Sequence, residues 1–262
     1  MRTWRHIAAA LAVAASAAVG GLVWLTAAAE GAGDPNALWH IVHDLCATDM
    51  KANGLPAPCT AVDLAKGYAV LKDIRGATQL LIVPTDRLTG IEDPKLLAPA
   101  APNYWQDAWD ARALFEKRAG KPVGRDDVGL AINSVDGRSQ NQLHIHLDCV
   151  RPDVAASLKA VQRRIGRRWA ALPIELAGRR YRAMWIEGAD LGARNPFALL
   201  AAEPSARADM GRETLILVPV TSSGGRPGFV LLSDRADLAA NDNGHGEDLL
   251  DHQCAVLDRP GG

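Results

Sequence analysis

Two histidines one residue apart, His144 and His146, stand in the stretch NQLHIHLDC, Asn141 to Cys149, with a carboxylate, Asp148, at the same spacing beyond them. An imidazole can attack phosphorus, carry a proton or bind a metal at neutral pH, because its ordinary pKa of about 6.5 leaves it largely neutral there. Spacing decides the geometry first. Successive residues of a strand point to opposite faces, so Gln142, His144, His146 and Asp148 share one face and Leu143, Ile145, Leu147 and Cys149 the other. The second set is apolar enough to pack on a core, which predicts a half-buried strand. A lone strand histidine is most often a hydrogen-bonded surface residue. Two imidazoles and a carboxylate on one face are instead candidates for reacting groups, provided that the rest of the chain can position them.

The chain has 262 residues, 48% of them hydrophobic, enough for a proper core in one large domain or two small ones. A formal net charge of -1 excludes a general affinity for nucleic acid or for an acidic surface, so an anionic ligand must be met locally. The first stretch is different in kind. Arg2, Arg5 and His6 precede a nearly uninterrupted apolar run from Ile7 to Leu25, followed by Ala27, Ala28 and Ala29. The apolar part of a cleaved signal is usually shorter, about 7–15 residues, so residues 1–29 are expected to be an anchor that stays on the chain. Basic residues before the span put the N-terminus in the cytoplasm and the remainder outside it. The expected location is a bacterial-type inner membrane with the domain on the periplasmic side; cleavage after Ala29, giving a soluble periplasmic protein, is the alternative.

Four cysteines, an even number in an exported chain, are expected to form disulfides. Cys46 and Cys59 lie close together around the turn-rich NGLPAPC and are paired with each other, and Cys149 with Cys254, which ties the end of the chain to the histidine strand. No CxxC spacing supports the competing zinc site.

Residues 34–262 are read as one domain. Asp34 is placed to cap a helix with Pro35 at its first position and Leu38, Ile41, Val42 and Leu45 at helical spacing. YAVLKDI and QLLIVP, separated by RGAT, form a hairpin that Pro84 ends. A helix from near Asn103 to about Gly120 carries Trp105, Trp109, Ala113 and Phe115, its aromatics read as core packing. VGLAIN is a strand and NSVDGRSQ a polar loop before the histidine strand. After it, Val154, Leu158, Val161 and Ile165 mark the inner face of a helix, with Arg163, Arg164, Arg167 and Arg168 solvated. RAMWIEG, TLILVPV and GFVLLSD are three further strands, and a short helix precedes Cys254. Hairpinned strands with helices set aside predict an α+β fold with a mainly antiparallel sheet.

These runs resemble the histidine-triad (HIT-like) nucleotide-binding proteins. YAVLKDIRGATQLLIVPTDRL is similar to that family's opening hairpin, which implies that Asp73 binds a ribose and that Arg87 is the basic residue following the proline. NSVDGRSQNQLHIHLD follows the family's order of Asn, loop, Gln and histidine strand, where the central one of three histidines attacks a phosphate. From the expected anchor through QNQLHIHLDCVRPDV to the terminal DHQC, the chain more closely resembles the CDP-diacylglycerol pyrophosphatases, an exported, membrane-anchored branch. That resemblance implies hydrolysis of CDP-diacylglycerol, a lipid confined to the membrane, to CMP and phosphatidate. Only two of the three histidines are present. With the loop from Asn133 to Gln140 kept ungapped, His144 comes first, His146 is the nucleophile and Asp148 takes the third place. With the strand slid by two, Gln142 comes first, His144 is the nucleophile and His146 last. The ungapped match favours His146. The chain also runs well past the strand, and residues from about 170 to 262 are read as a diverged half-repeat that completes the sheet.

The charge of a pyrophosphate repels water, and a covalent intermediate divides the displacement into two easier ones. The second histidine would then protonate the departing phosphatidate and later assist water. Donors already in place must meet the phosphoryl charge; the candidates are Asn133, Arg138, Ser139, Gln140 and Asn141 in the loop and Gln142 at its end, with Arg87 and Lys72 second. Because histidine supplies the nucleophile, the mechanism requires no metal or other cofactor. Two other readings stay open: a nucleotidyl hydrolase or transferase of the same fold acting on soluble nucleotides, and a non-enzymatic exported metal-binding protein. The anchor favours the lipid, and the absence of further Cys or His clusters weighs against the metal.

Overall fold

The computed structural model describes residues 33–258. The expected membrane span lies outside them, and among the described residues no helix is long and apolar enough to cross a membrane. The architecture is α+β, built on an antiparallel sheet.

A helical run over residues 37–53, α1, comes first. Leu38, Val42 and Cys46 are buried along it, whereas Leu45, expected on the packed face, is 52% exposed. The middle of the run, His40–Ala47, winds in the wider π form, and that larger turn rotates Leu45 away and brings Cys46 in. Gly54 ends the run in the left-handed region at φ 70°.

The short strand β1 (Ala61–Asp63) pairs with β2 (Tyr68–Lys72), and β2 forms the expected hairpin with β3 (Leu80–Pro84). The single helix expected after Asn103 is two, α2 (Tyr104–Asp110) and α3 (Arg112–Ala119), joined at Ala111. Trp105, Trp109 and Phe115 are buried between them and the sheet. Next come β4 (Val128–Ile132), β5 (Ile145–Val150), which is the histidine strand, and α4 (Pro152–Val161). β6 (Ala170–Leu176) was not anticipated, since Pro173 argues against a strand interior; it lies at the edge of the sheet, where a missing N–H costs no ladder bond. The chain continues through β7 (Arg179–Glu187), α5 (Pro196–Ala201), α6 (Pro204–Arg207), β8 (Leu215–Thr221), β9 (Pro227–Ser233) and a two-residue strand β10 (Leu250–Asp251). In place of the short helix expected before Cys254 there is a 3-10 turn, Gly246–Leu249, followed by β10.

The strand order is β1-β2-β3-β5-β4-β8-β9-β7-β6, with β10 added to β5. β4 and β8 form a central antiparallel seam in which Leu130 faces Leu217. On one side Leu130 faces Leu147 of β5, and on the other Leu217 faces Leu231 of β9. The two half-sheets therefore repeat the same order outward from the seam, and the position that His146 holds in β5 is held by Val230 in β9. α4 packs Val154, Leu158 and Val161 onto the Val230 half of this face, where Ile216, Val218 and Leu232 lie. The His146 half is covered by the chain end after β9. This corrects the expected half-buried strand: β5 is buried on both faces, with His144 8% and His146 4% exposed.

Both expected disulfides are formed, Cys46–Cys59 and Cys149–Cys254, the second across a sequence separation of 105. Opening so long a loop restores much freedom to the unfolded chain. A Cys149→Ala, Cys254→Ala double variant should lose about 2–5 kcal/mol of unfolding free energy, measured by denaturant titration against the oxidised parent; an unchanged midpoint would contradict a structural role for this bridge.

Candidate active site

The strand alternation brings His144 and His146 to one face with ring centroids 4.9 Å apart and planes at 70°. His144 Nδ1 donates to the Gln142 carbonyl at 2.7 Å, which leaves the lone pair on Nε2. Burial, with His146 adjacent, pushes its pKa down to about 4, so the ring is neutral at pH 7.

His146 sits deeper. Its Nδ1 meets the Gln79 amide at 2.6 Å, Glu247 Oε2 at 3.5 Å and Asp73 Oδ2 at 3.7 Å. Gln79 stands with its amide nitrogen toward the ring and its Oε1 buried without a partner; turning the amide over gives Nδ1 a third acceptor beside the two carboxylates, and the three together favour the proton on Nδ1. Nε2 is then the basic nitrogen, and it is buried without a partner. Burial lowers the His146 pKa against the opposing pull of Glu247 and Asp73. Both imidazoles of the strand are thus held neutral with Nε2 unprotonated, the form that can attack phosphorus.

Asp148, next on this face, accepts from Thr78 Oγ1 at 3.1 Å and from its neighbour's backbone, Cys149 N, at 2.9 Å, while Oδ2 meets His252 Nδ1 at 2.9 Å. Asp148 raises the His252 pKa against the effect of burial. The third place along the strand therefore holds a carboxylate with an imidazole from the chain end seated on it.

The polar loop divides between two tasks. Asn133 donates to Glu247 Oε1 at 3.0 Å and accepts from Glu247 N at 3.3 Å. Arg138 forms a two-pronged pair with Glu92 at 2.6 and 2.7 Å, and its Nε is buried with no partner. Asn133, Arg138, Gln142 and His144 line a narrow recess. Gln140 and Asn141 turn toward α1: Gln140 accepts from Leu38 N at 2.9 Å and donates to Asp34 O at 3.0 Å, and Asn141 N donates to Pro35 O at 2.6 Å. Gln142 donates to the carbonyls of Pro84 and Asp86 at 3.0 and 2.9 Å. Ser139 is exposed.

Of the three candidates on and after the hairpin, Asp73, Arg87 and Lys72, only Asp73 reaches the histidines. Arg87 donates to Asn36 Oδ1 and lies 5.3 Å from the Trp39 ring centre. Lys72 closes the β2–β3 turn on the carbonyls of Arg75 and Gly76, at 3.1 and 2.8 Å, and burial lowers its pKa. A larger cavity, about 510 Å³, lies beyond α4 and is lined by Arg163, Arg167, Trp185 and Arg226 among others; it holds no imidazole.

Motif reading passed over Gln79, Glu247 and His252. Gln79 carried no signal beyond its place next to the hairpin turn. The other two had one: His245, Glu247, Asp248 and His252 crowd the approach to Cys254, whose expected bond to Cys149 already led to the histidine strand.

Neutral imidazoles with a free nitrogen, a buried carboxylate beside one of them and an unpaired guanidinium N–H in the recess are groups suited to phosphoryl-transfer chemistry. The chain belongs to the CDP-diacylglycerol pyrophosphatase family, whose model matches residues 33–258. It is 40% identical over 223 residues to the CDP-diacylglycerol pyrophosphatase of Yersinia pestis, an alignment that takes in 85% of each chain. With that membership comes the reaction class, hydrolysis of a pyrophosphate bond.

A histidine kept neutral by burial must take up a proton when it unfolds in acid. For His144, folded near pKa 4 against about 6.5 unfolded, the stabilisation is complete above pH 6.5 and is lost as the pH falls toward 4. Urea titrations from pH 7 to pH 4 should show this loss, and a His144→Asn variant should show a shallower one. An equal slope in both would mean that His144 is charged in the folded protein.

Proposed function

We propose that this chain hydrolyses CDP-diacylglycerol to CMP and phosphatidate on a HIT-like fold, by two displacements through a nucleotidyl group on His146. The observation that carries the mechanism is the buried, unpartnered Nε2 of His146, on a ring whose Nδ1 faces Gln79, Glu247 and Asp73. The substrate is supported by the family and by the name of the Yersinia pestis relative.

In the first step Nε2 attacks the phosphorus bearing the cytidine, an N–P bond forms, and the bridging P–O bond breaks with its electron pair on phosphatidate. A phosphate monoester has a second pKa of about 6, so phosphatidate leaves as an anion and needs no obligatory acid. This shifts the part given to His144. Neutral at pH 7, it is suited to take a proton from water in the second step, when the O–P bond forms, the N–P bond breaks and CMP departs. Phosphoryl charge is met from the recess by the free Nε–H of Arg138 and by the Asn133 amide. Asp73, beside His146, remains the candidate for the ribose hydroxyls.

In this reading residues 1–29 hold the domain on the periplasmic side of an inner membrane, where a tethered enzyme meets a diacylated nucleotide in two dimensions. The cleaved, soluble form is the alternative. The repeated strand order about the β4–β8 seam supports the second half as a diverged half-repeat, whose strand β9 carries no imidazole.

Purified protein incubated with CDP-diacylglycerol in detergent micelles and excess chelator should release CMP and phosphatidate. Trapped adduct should map to His146, be abolished in His146→Asn, and form more slowly but at the same residue in His144→Asn. Faster turnover of soluble dinucleotides would sink the lipid assignment, and an adduct on His144 would move the nucleophile to the other register.

A further inference from the structure

One stretch, residues 243–254, brings Glu247 and His252 to the histidine face, and it is fastened there at both ends. Ser134 N donates to Gly244 O at 2.9 Å and Ser134 Oγ to Asn243 O at 2.6 Å. Leu250 and Asp251 pair with Val150 and Cys149, and Cys254 is bonded to Cys149. Glycines admit the backbone at two points. A Cβ on Gly246 would stand 2.8 Å from Ile132 O, and one on Gly76, itself at φ 60°, would stand 2.8 Å from His252 O.

The buried group at the middle of this stretch is Glu247, 7% exposed. Asn133 takes Oε1, with Arg75 Nη1 at 4.0 Å and His245 Nδ1 at 3.6 Å nearby. Oε2 has no hydrogen-bond partner, yet lies between two imidazoles, 3.5 Å from His146 Nδ1 and 3.7 Å from His252 Nε2. An unsatisfied buried carboxylate oxygen needs an account. Reaction supplies one: when Nε2 of His146 bonds to phosphorus the ring becomes a cation, and its Nδ1–H then needs a negative acceptor close by.

We infer that Glu247 is the positioning carboxylate of this active site, holding the His146 ring with its proton on Nδ1, and that His252, seated on Asp148, holds Glu247 in place and so stands in for the missing third histidine. The inference rests on His146 as the attacking group. It makes the site composite, with the nucleophile from β5 and its orienting pair from the far end of the chain. Asp148 then has a defined task, since its carboxylate fixes the ring that flanks Glu247. The groups facing His252 are Asp148 on β5, Asp73 at the end of β2, the Gly76 turn and Glu247 of its own stretch.

The test uses the full, disulfide-bonded chain in micelles. Glu247→Gln should lower kcat for CMP release by about 100-fold or more with KM nearly unchanged, as expected when an orienting carboxylate is removed from a catalytic imidazole. In ¹⁵N-histidine NMR the same variant should shift the His146 resonances toward mixed tautomers and leave those of His144, bonded to Gln142 O, in place. Wild-type kcat, or a rise in KM alone, would overturn the inference. If Glu247→Gln folds poorly, His252→Asn carries the test, because that ring is 28% exposed; unchanged kcat with unchanged His146 resonances would overturn it equally. An active Glu247→Gln beside a dead His146→Asn defeats this inference alone, whereas an active His146→Asn defeats the proposed nucleophile and this inference with it.

Discussion

Burial of ionisable groups on one strand face is the constraint from which the rest of this structure follows. His144, His146, Asp148 and Glu247 are all under 9% exposed, and groups of this kind leave water only when each finds a partner or loses its charge. The two strand imidazoles lose theirs. Asp148 is held by Thr78, a backbone N–H and His252, and Glu247 by the Asn133 amide. Four separate segments must therefore meet over β5: the β2–β3 hairpin, the end of β4, the strand itself and the chain end. The Cys149–Cys254 bond joins two of them covalently beside Asp148.

The seam between β4 and β8 explains why the cover comes from so far along the chain. The two half-sheets run outward from it in the same order, and the segment that follows the second strand out in each, β5 or β9, crosses to the other half. α4, after β5, packs on the face of β8 and β9, while the segment after β9 packs on β5. One crossing is apolar, with Val154, Leu158 and Val161 against Ile216, Val218 and Val230, and builds core. The other is polar and builds the site. Neither half closes its own face, so the fold and the chemistry depend on the whole domain.

The loop before β5 serves both ends of this arrangement. Its later residues, Gln140 and Asn141, clamp the start of α1, which itself is tied through Cys46 to Cys59. Its earlier ones, Asn133 and Arg138, face the recess. The Arg138 charge is balanced by Glu92, so what it offers a phosphoryl group is the directed Nε–H more than an unpaired positive charge.

Local patterns were legible in the amino-acid order alone. Strand alternation put His144, His146 and Asp148 on one face, the β2–β3 hairpin and Pro84 ended where turn chemistry requires, and Cys46 and Cys59, close in sequence, paired with each other. These rest on interactions between neighbours in sequence, which periodicity records. What needed the tertiary structure was everything that depends on segments far apart: Leu45 turned outward by a wider helical turn, Pro173 tolerated at a sheet edge, Gln140 and Arg87 drawn to α1. Above all, the environment of His146 comes from Gln79, Asp73 and Glu247, separated from it by as many as a hundred residues and by no spacing rule. A strand's period dictates which way an imidazole points; only packing decides which nitrogen keeps the proton.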